Sequence, residues 1–121
     1  MEIEQTYKTI DVIIKSLKTA RQRNDYLTLM ANAFALLEYM PNLVLYSVTQ
    51  EAQYRKFEAK LALESDENGK RNTSSFCDTQ AKATQFYADW QKAKLFIELM
   101  YEMVQMAKKL AGSVDKEFNA S

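Results

Sequence analysis

The chain has 121 residues, of which 47% are hydrophobic and 26% are charged. This length fits one domain, and this composition belongs to globular rather than disordered proteins. Sixteen basic residues balance sixteen acidic ones, so the net charge does not indicate a strongly electrostatic partner such as duplex DNA. With two glycines and one proline, the sequence favours helices over a turn-rich β fold.

The first predicted helix covers about residues 3–22. Its apolar residues follow the alternating four- and three-residue spacing of a coiled-coil seam: Ile3, Tyr7, Ile10, Ile14 and Leu17. Asn24 and Asp25 form a stop-and-restart signal, because Asp25 is a good N-cap for the next helix.

A second helical stretch covers about residues 26–64 and contains Pro41. Proline in a helix interior removes one backbone hydrogen bond and crowds the preceding turn. Tyr39 and Met40, which precede it, make a poor N-cap, so we expect one long helix kinked at Pro41. Two separate helices are the alternative.

A polar loop is expected at 65–74, and a third helix with an apolar 3-4 seam at 75–111. A helix of that length spans about 50 Å, whereas a compact chain of this size has a radius of gyration of only about 14 Å. The sequence therefore predicts an all-α protein, an elongated helical hairpin or bundle of three to four helices with coiled-coil-like packing, assembled as an oligomer. All of residues 1–121 are assigned to one domain, with a frayed tail at 113–121.

The second half of the third helix is apolar on several sides. One antiparallel neighbour covers about a third of a helix surface, and the segment Leu95–Leu110 exposes apolar side chains over more than that. It therefore lies either at the centre of a bundle or at a subunit interface. The candidate oligomer or partner contacts are Phe96, Leu99, Met100, Met103, Met106 and Leu110.

Catalysis is not indicated by the sequence. Without histidine the chain lacks the usual general base and the usual metal ligand. No glycine-rich phosphate loop, nucleophile motif or zinc spacing is present. Cys77 falls in the first turn of the third helix, where a thiol can be activated, but a semi-buried bystander is favoured. We expect no catalytic residue, no metal, no cofactor and no small-molecule substrate.

Basic residues cluster at Lys15–Arg23, at 55–60 and at Lys70–Arg71. If the second and third helices form an antiparallel hairpin, cations converge at its tip, close to Tyr54 and Phe57. Cations beside aromatic rings are what proteins use to hold single-stranded nucleic acid, although acidic residues are interleaved here. The candidate nucleic-acid contacts are Arg55, Lys56, Lys60, Lys70, Arg71 and Lys82.

The order of these features resembles a known family. Glu51-Ala52-Gln53, then Lys60-Leu61, then a polar Gly-bearing loop and a long Trp-bearing helix are similar to the phage UvsY-type recombination mediators. The similarity covers roughly residues 29–110. It implies a helical protein that forms ring-like homo-oligomers, binds single-stranded DNA and helps to load a recombinase. By the resemblance, Lys60 falls on a basic DNA-contacting position, whereas Glu58 stands where the family has a second basic residue.

Two hypotheses follow for the function. The first is a non-enzymatic recombination mediator that assembles with itself and binds single-stranded DNA and a recombinase. The second is a helical adaptor or inhibitor that binds another protein through the Leu95–Leu110 surface, without nucleic acid. One cysteine, no signal-peptide pattern and no apolar run of about 20 residues predict the cytoplasm of a bacterial or phage-infected bacterial cell, with no membrane partner.

Overall fold

The computed structural model describes residues 2–120, with the side chains of residues 2–113. Four helices make up almost all of this range: α1 (Ile3–Gln22), α2 (Tyr26–Leu63), α3 (Ser74–Lys82) and α4 (Gln85–Ala120). The β-type pairing in the described part is limited to one isolated bridge between Ser65 and Arg71. The all-α prediction is confirmed. None of the described helices combines the length and the apolar character needed to cross a bilayer.

The chain divides into two compact units. Unit 1 comprises Met1–Asn42 and Phe96–Ser121, and unit 2 comprises Leu43–Leu95. Unit 1 contains α1, the first part of α2 and most of α4, whereas unit 2 contains the rest of α2, all of α3 and the start of α4. The assignment of the whole chain to one domain stays a prediction.

The interior of unit 1 is mainly aliphatic, with the ring of Tyr7 also buried in it. Helix α1 covers the range that its sequence pattern predicts, and its seam residues Tyr7, Ile10, Ile14 and Leu17 are buried. They share the core with residues of α2 and α4, and the largest fully buried side chains of this unit are Ile10, Leu17, Leu29, Leu36 and Met100. Burial of each such side chain stabilises the fold by about 1.5–3 kcal/mol.

The connection from α1 to α2 uses the residues that the sequence marks. Asn24 adopts a positive φ of 56°, which asparagine tolerates better than most residues because its short polar side chain bonds locally. The Asp25 carboxylate then accepts hydrogen bonds from the backbone N–H and the hydroxyl of Thr28, at 3.2 and 2.7 Å. These bonds lower the pKa of Asp25 below its usual value and cap the start of α2.

Helix α2 runs through Pro41 without ending and has 38 residues. Its apolar residues form one buried side and one broad exposed side. One side is buried and carries Leu29, Leu36, Leu43 and Tyr54. The other leaves large side chains in solvent: Leu27, Phe34 and Leu37 in unit 1, and Val44, Leu45 and Val48 in unit 2.

The prediction of a single third helix at 75–111 is wrong, because the structure contains two helices, α3 and α4, separated at Ala83 and Thr84. The Thr84 hydroxyl donates to the Ala81 carbonyl at 2.7 Å and accepts from the Tyr87 backbone N–H at 3.4 Å. This threonine therefore closes one helix and caps the next, and local side-chain bonding overrides the apolar periodicity.

The predicted end of this helix also differs from the structure. Helix α4 passes Gly112 and continues to Ala120, so it includes most of the segment 113–121 that the sequence assigns to a frayed tail. A single glycine costs about 1 kcal/mol in a helix interior, which is not enough to end a helix that long. The side chains from residue 114 onward lie outside the described residues.

Candidate nucleic-acid interface

The interior of unit 2 is aromatic at one end. The Tyr54 side chain, from α2, is only 2% exposed and packs against two rings of α4. Its ring centroid lies 5.1 Å from that of Tyr87 and 5.6 Å from that of Trp90, with the Trp90 ring stacked at 24°. Tyr87 and Trp90 meet edge to face at 5.9 Å. These distances are those of favourable aromatic pairs, and Tyr87 and Trp90 each remain half-buried.

Two cations lie over this cluster. The Arg55 guanidinium carbon is 4.9 Å from the Tyr54 centroid and 5.7 Å from the Trp90 centroid. The Lys94 ammonium is 5.9 Å from the Trp90 ring. Cation–π contacts at such exposed positions contribute about 0.5–1 kcal/mol each. They also hold positive charge beside aromatic faces, and proteins that bind single-stranded nucleic acid use this combination of side chains.

A groove adjoins the cluster on the side of α3. It has a volume of about 430 Å³, and Arg55 and Glu58 from α2 face Cys77 and Asp78 from α3 across it. Arg55 forms an ion pair with Glu58 at 3.6 Å, and Lys82 forms one with Asp78 at 3.1 Å. Burial, followed by the charge of Glu58, raises the pKa of Tyr54. The hydrogen bond that Lys82 donates to the Asp78 carboxylate, together with the negative charge of that carboxylate, raises the pKa of Lys82.

Cys77 lies in this groove wall but is only 3% exposed. A thiol with so little solvent exposure is not placed to attack a substrate, because reactive cysteines are partly exposed. Cys77 is thus buried rather than semi-buried as expected from the sequence, and this burial favours its interpretation as a bystander. Within the described residues, no cluster of three or more acidic or cysteine side chains has the geometry to hold a metal ion.

The structure brings only some of the predicted nucleic-acid contacts together. Arg55 and the Lys82–Asp78 ion pair border the same groove. Lys56 and Lys60 are exposed on α2, and Lys60 is also in the last turn of that helix, where a cation is favourable without any ligand.

Lys70 and Arg71 lie in the connection between α2 and α3. The Asp66 carboxylate accepts from the backbone N–H of Asn68 and of Lys70, each at 2.9 Å. Arg71 borders a depression with Glu64, Asp66 and Glu67, so three acidic residues share the surroundings of its positive charge. Residues 43–95 contain eight basic and seven acidic side chains in all, a net charge of +1. The acidic residues that the sequence interleaves with these cations thus lie beside them in the structure, and nucleic-acid contact by the predicted set stays a prediction.

The connection itself is closed by backbone and side-chain bonds. Gly69 has a φ of 78° and donates to the Asp66 carbonyl at 3.0 Å, a conformation that favours glycine. The Asn72 side-chain amide donates to the Leu61 carbonyl at 2.9 Å, which satisfies one of the last carbonyls of α2. Thr73 then accepts from the Phe76 N–H at 3.1 Å and caps α3. The loop thus holds Lys70 and Arg71 on a defined turn.

The predicted interface residues of the Leu95–Leu110 segment are largely used inside unit 1. Met100 is completely buried, so the prediction that it contacts a partner is wrong. Phe96 packs on Tyr7 with ring centroids 4.2 Å apart. Leu99, Met103, Met106 and Leu110 are half-buried. Of the two placements that the sequence allows for this segment, the centre of a bundle accounts for Met100 and Phe96.

The strongest apolar surface that sequence reasoning missed is on α2. Leu27 is 88% exposed, Phe34 61%, and Leu45 66%. The signal was present, because α2 has apolar residues on more than one side. The Lys94–Trp90 contact was missed as well. A spacing of four residues places the two side chains on neighbouring turns, but it does not decide whether the lysine contacts the ring or extends into solvent.

No family model, no curated protein and no solved structure matches the chain. The similarity to the UvsY-type mediators, carried by residues 51–53, 60–61 and the Trp-bearing helix, therefore remains a proposal about this chain.

Proposed function

We propose that the chain is a non-enzymatic mediator that assembles with itself, binds single-stranded DNA through unit 2 and delivers it to a recombinase. The single observation that carries the proposal is the half-buried Trp90 ring with Arg55 and Lys94 beside it. A base stacks on an aromatic face, and the neighbouring cations neutralise its phosphates. The two exposed lysines of α2, Lys56 and Lys60, are four residues apart and so neighbour each other on the helix surface, on a different side of α2 from Arg55.

The ion pairs around the groove are compatible with such binding. The side chain of Arg55 is 56% exposed and that of Lys82 is 48% exposed, so both are screened by solvent and contribute little to folding. A phosphate can therefore replace the carboxylates of Glu58 and Asp78 at small cost. The interleaved acids reduce net affinity, which fits a protein that must release DNA to another protein.

Self-assembly has its support on α2. Leu45 and Val48 are 66% and 55% exposed, and neighbouring apolar side chains of this kind on one helix commonly mark an interaction surface. Light scattering on a sizing column should give an oligomer mass, and a clean monomer at high concentration contradicts this part of the proposal.

The DNA test uses Trp90 as its readout, because it is the chain's only tryptophan. A short oligothymidylate at low salt should quench its fluorescence, and the logarithm of the affinity should fall linearly with the logarithm of the salt concentration. Removing one phosphate contact reduces the magnitude of that slope by about 0.7 on single strands. We expect this reduction, with weaker binding, for Arg55→Ala and for Lys60→Ala.

Lys8→Ala is the matched control, since Lys8 is an exposed lysine of unit 1 and should leave both affinity and slope unchanged. Lys70→Ala tests whether the loop between α2 and α3 contributes to DNA binding. An unchanged affinity would assign the binding to α2 and α4 alone. If oligothymidylate does not bind at low salt, the helical adaptor or inhibitor becomes the better proposal. Its support within unit 1 is Tyr101, which belongs to the Leu95–Leu110 segment and is 59% exposed.

A further inference from the structure

Unit 1 has a basic surface that the DNA-binding proposal does not use. Between residues 15 and 23, α1 and the residue after it contain Lys15, Lys18, Arg21 and Arg23 and no acidic residue. All four side chains are exposed. On α4, Lys108 and Lys109 are also exposed. This cationic density exceeds that of the groove in unit 2, where Arg55, Lys82 and Lys94 each have a ring or a carboxylate beside them.

Two depressions adjoin one another on this surface, since both are lined by Arg21 and Met106. The first has a volume of about 380 Å³ and is completed by Lys18, Gln22 and Met103. The second has a volume of about 500 Å³, and Tyr101, Lys109 and Leu110 are among its lining residues. Together they form a groove, named here the α1–α4 groove, with an apolar floor and a cationic rim.

The rim cations Lys18, Arg21 and Lys109 belong to neither of the ion pairs described above, Arg55–Glu58 and Lys82–Asp78. Glu102 is the one acidic residue among the lining residues, so the groove has an excess of positive charge. Its floor is formed by thioether and aliphatic side chains, of which Met103, Met106 and Leu110 are half-buried. Methionine adapts its shape to varied apolar partners.

We propose that the α1–α4 groove binds an acidic segment of a partner protein that places apolar side chains between its carboxylates. The carboxylates pair with the rim cations, and Arg21, which borders both depressions, is positioned for a bidentate contact. The apolar side chains enter the floor over Met106. Protein is favoured over nucleic acid because single strands bind through stacked aromatic rings, whereas this floor has methionine and leucine with Tyr101 at one side.

This inference is independent of the DNA site, which lies in the other unit. The probe is a fluorescent synthetic peptide in which aspartate pairs alternate with leucine or phenylalanine, titrated into the full chain and followed by anisotropy. Arg21→Glu should weaken binding at least tenfold, about 1.4 kcal/mol. Leu110→Ser should weaken it severalfold without changing the charge. Lys8→Glu, on the same helix but absent from the groove lining, is the matched control and should have little effect.

Two further probes keep the result decisive. A peptide with the same aspartates but serine at every apolar position should bind much more weakly, because it cannot use the floor. Oligothymidylate should show no loss of affinity on Arg21→Glu. Equal binding of both peptides, or of oligothymidylate through Arg21, overturns the proposal in favour of a general polyanion surface. Absence of binding by the acidic apolar peptide overturns it outright, whatever the DNA titration gives.

Discussion

Units 1 and 2 share two long helices but fill their interiors differently. The fully buried large side chains of unit 1 are aliphatic or thioether, among them Ile10, Leu17 and Met100. In unit 2 they are Tyr54 and Leu43, and the rest of the buried set is small: Ser47, Cys77, Ala81 and Ala93. An aliphatic interior yields dense packing with few polar requirements. An aromatic interior with small neighbours brings rings close to the surface, where cations reach them.

The contrast suggests a division of roles. The packing of unit 1 favours stability, and its outer surface combines bare cations with an apolar groove. The rings of unit 2 serve both as core and as part of the exterior, with Trp90 only half-buried. We therefore expect the largest losses of stability from changes in unit 1. Changes in unit 2 should alter ligand binding with a smaller loss of stability.

The largest expected effect tests the aliphatic interior. Met100→Ala should lower the free energy of unfolding by about 2–5 kcal/mol, because it empties a fully enclosed site. Chemical denaturation measures the change. Leu27→Ala is the control, since Leu27 is 88% exposed and its truncation should change stability by no more than about 0.5 kcal/mol. Similar losses for the two variants would mean that Met100 is not in the core of the chain.

A smaller effect is expected at the junction of α3 and α4 in unit 2. Thr84→Ala removes the side chain that bonds Ala81 and Tyr87 and should cost about 1 kcal/mol. Thr79→Ala is the comparison, because the Thr79 hydroxyl only donates back to the Ser75 carbonyl within α3 and should be near neutral. Increased stability of the Thr84 variant, with higher helix content, would show that one uninterrupted helix is preferred.

The smallest effect concerns the pH dependence of unit 2. Burial raises the pKa of the Tyr54 phenol above its ordinary value of 10.0. The folded state therefore keeps its proton longer than the unfolded state, and the stability from this group is complete below pH 10.0 and lost as the pH rises through the folded pKa. Tyr54→Phe should flatten the alkaline decline in stability, measured by denaturation at several pH values. Tyr101→Phe, at a ring that is 59% exposed, should not.

The sequence predicted the fold correctly where a helix buries a single face in a single core. The α1 seam is an example, because its 3-4 spacing and the Asp25 cap are local signals. Met100 shows what periodicity leaves out, since an apolar pattern does not say whether a neighbouring helix or another molecule covers a residue. Thr84 was missed because its hydroxyl competes for backbone groups inside an otherwise helical pattern.

The candidate site was predictable only in part. Arg55 and Lys82 were identified by charge, but their pairing with Glu58 and Asp78 depends on side-chain geometry, although helical spacing of three and four permits it. Trp90 and Lys94 were left out because a tryptophan in an apolar stripe is usually core. What joins them to Arg55 is the contact of α2 with α4 through the rings, and no local pattern encodes that.

Pro41 has a consequence for whatever covers the exposed side of α2 in unit 1. A proline contributes no N–H, so the Leu37 carbonyl lacks the donor that a helix normally supplies four residues on. Leu37 is 39% exposed, and water can serve that oxygen while the surface is open. A partner that excluded water from this turn would leave the carbonyl oxygen without a hydrogen-bond donor, at a cost of about 1–3 kcal/mol. A stable contact over Leu37 must therefore bring a hydrogen-bond donor of its own or enclose a water molecule.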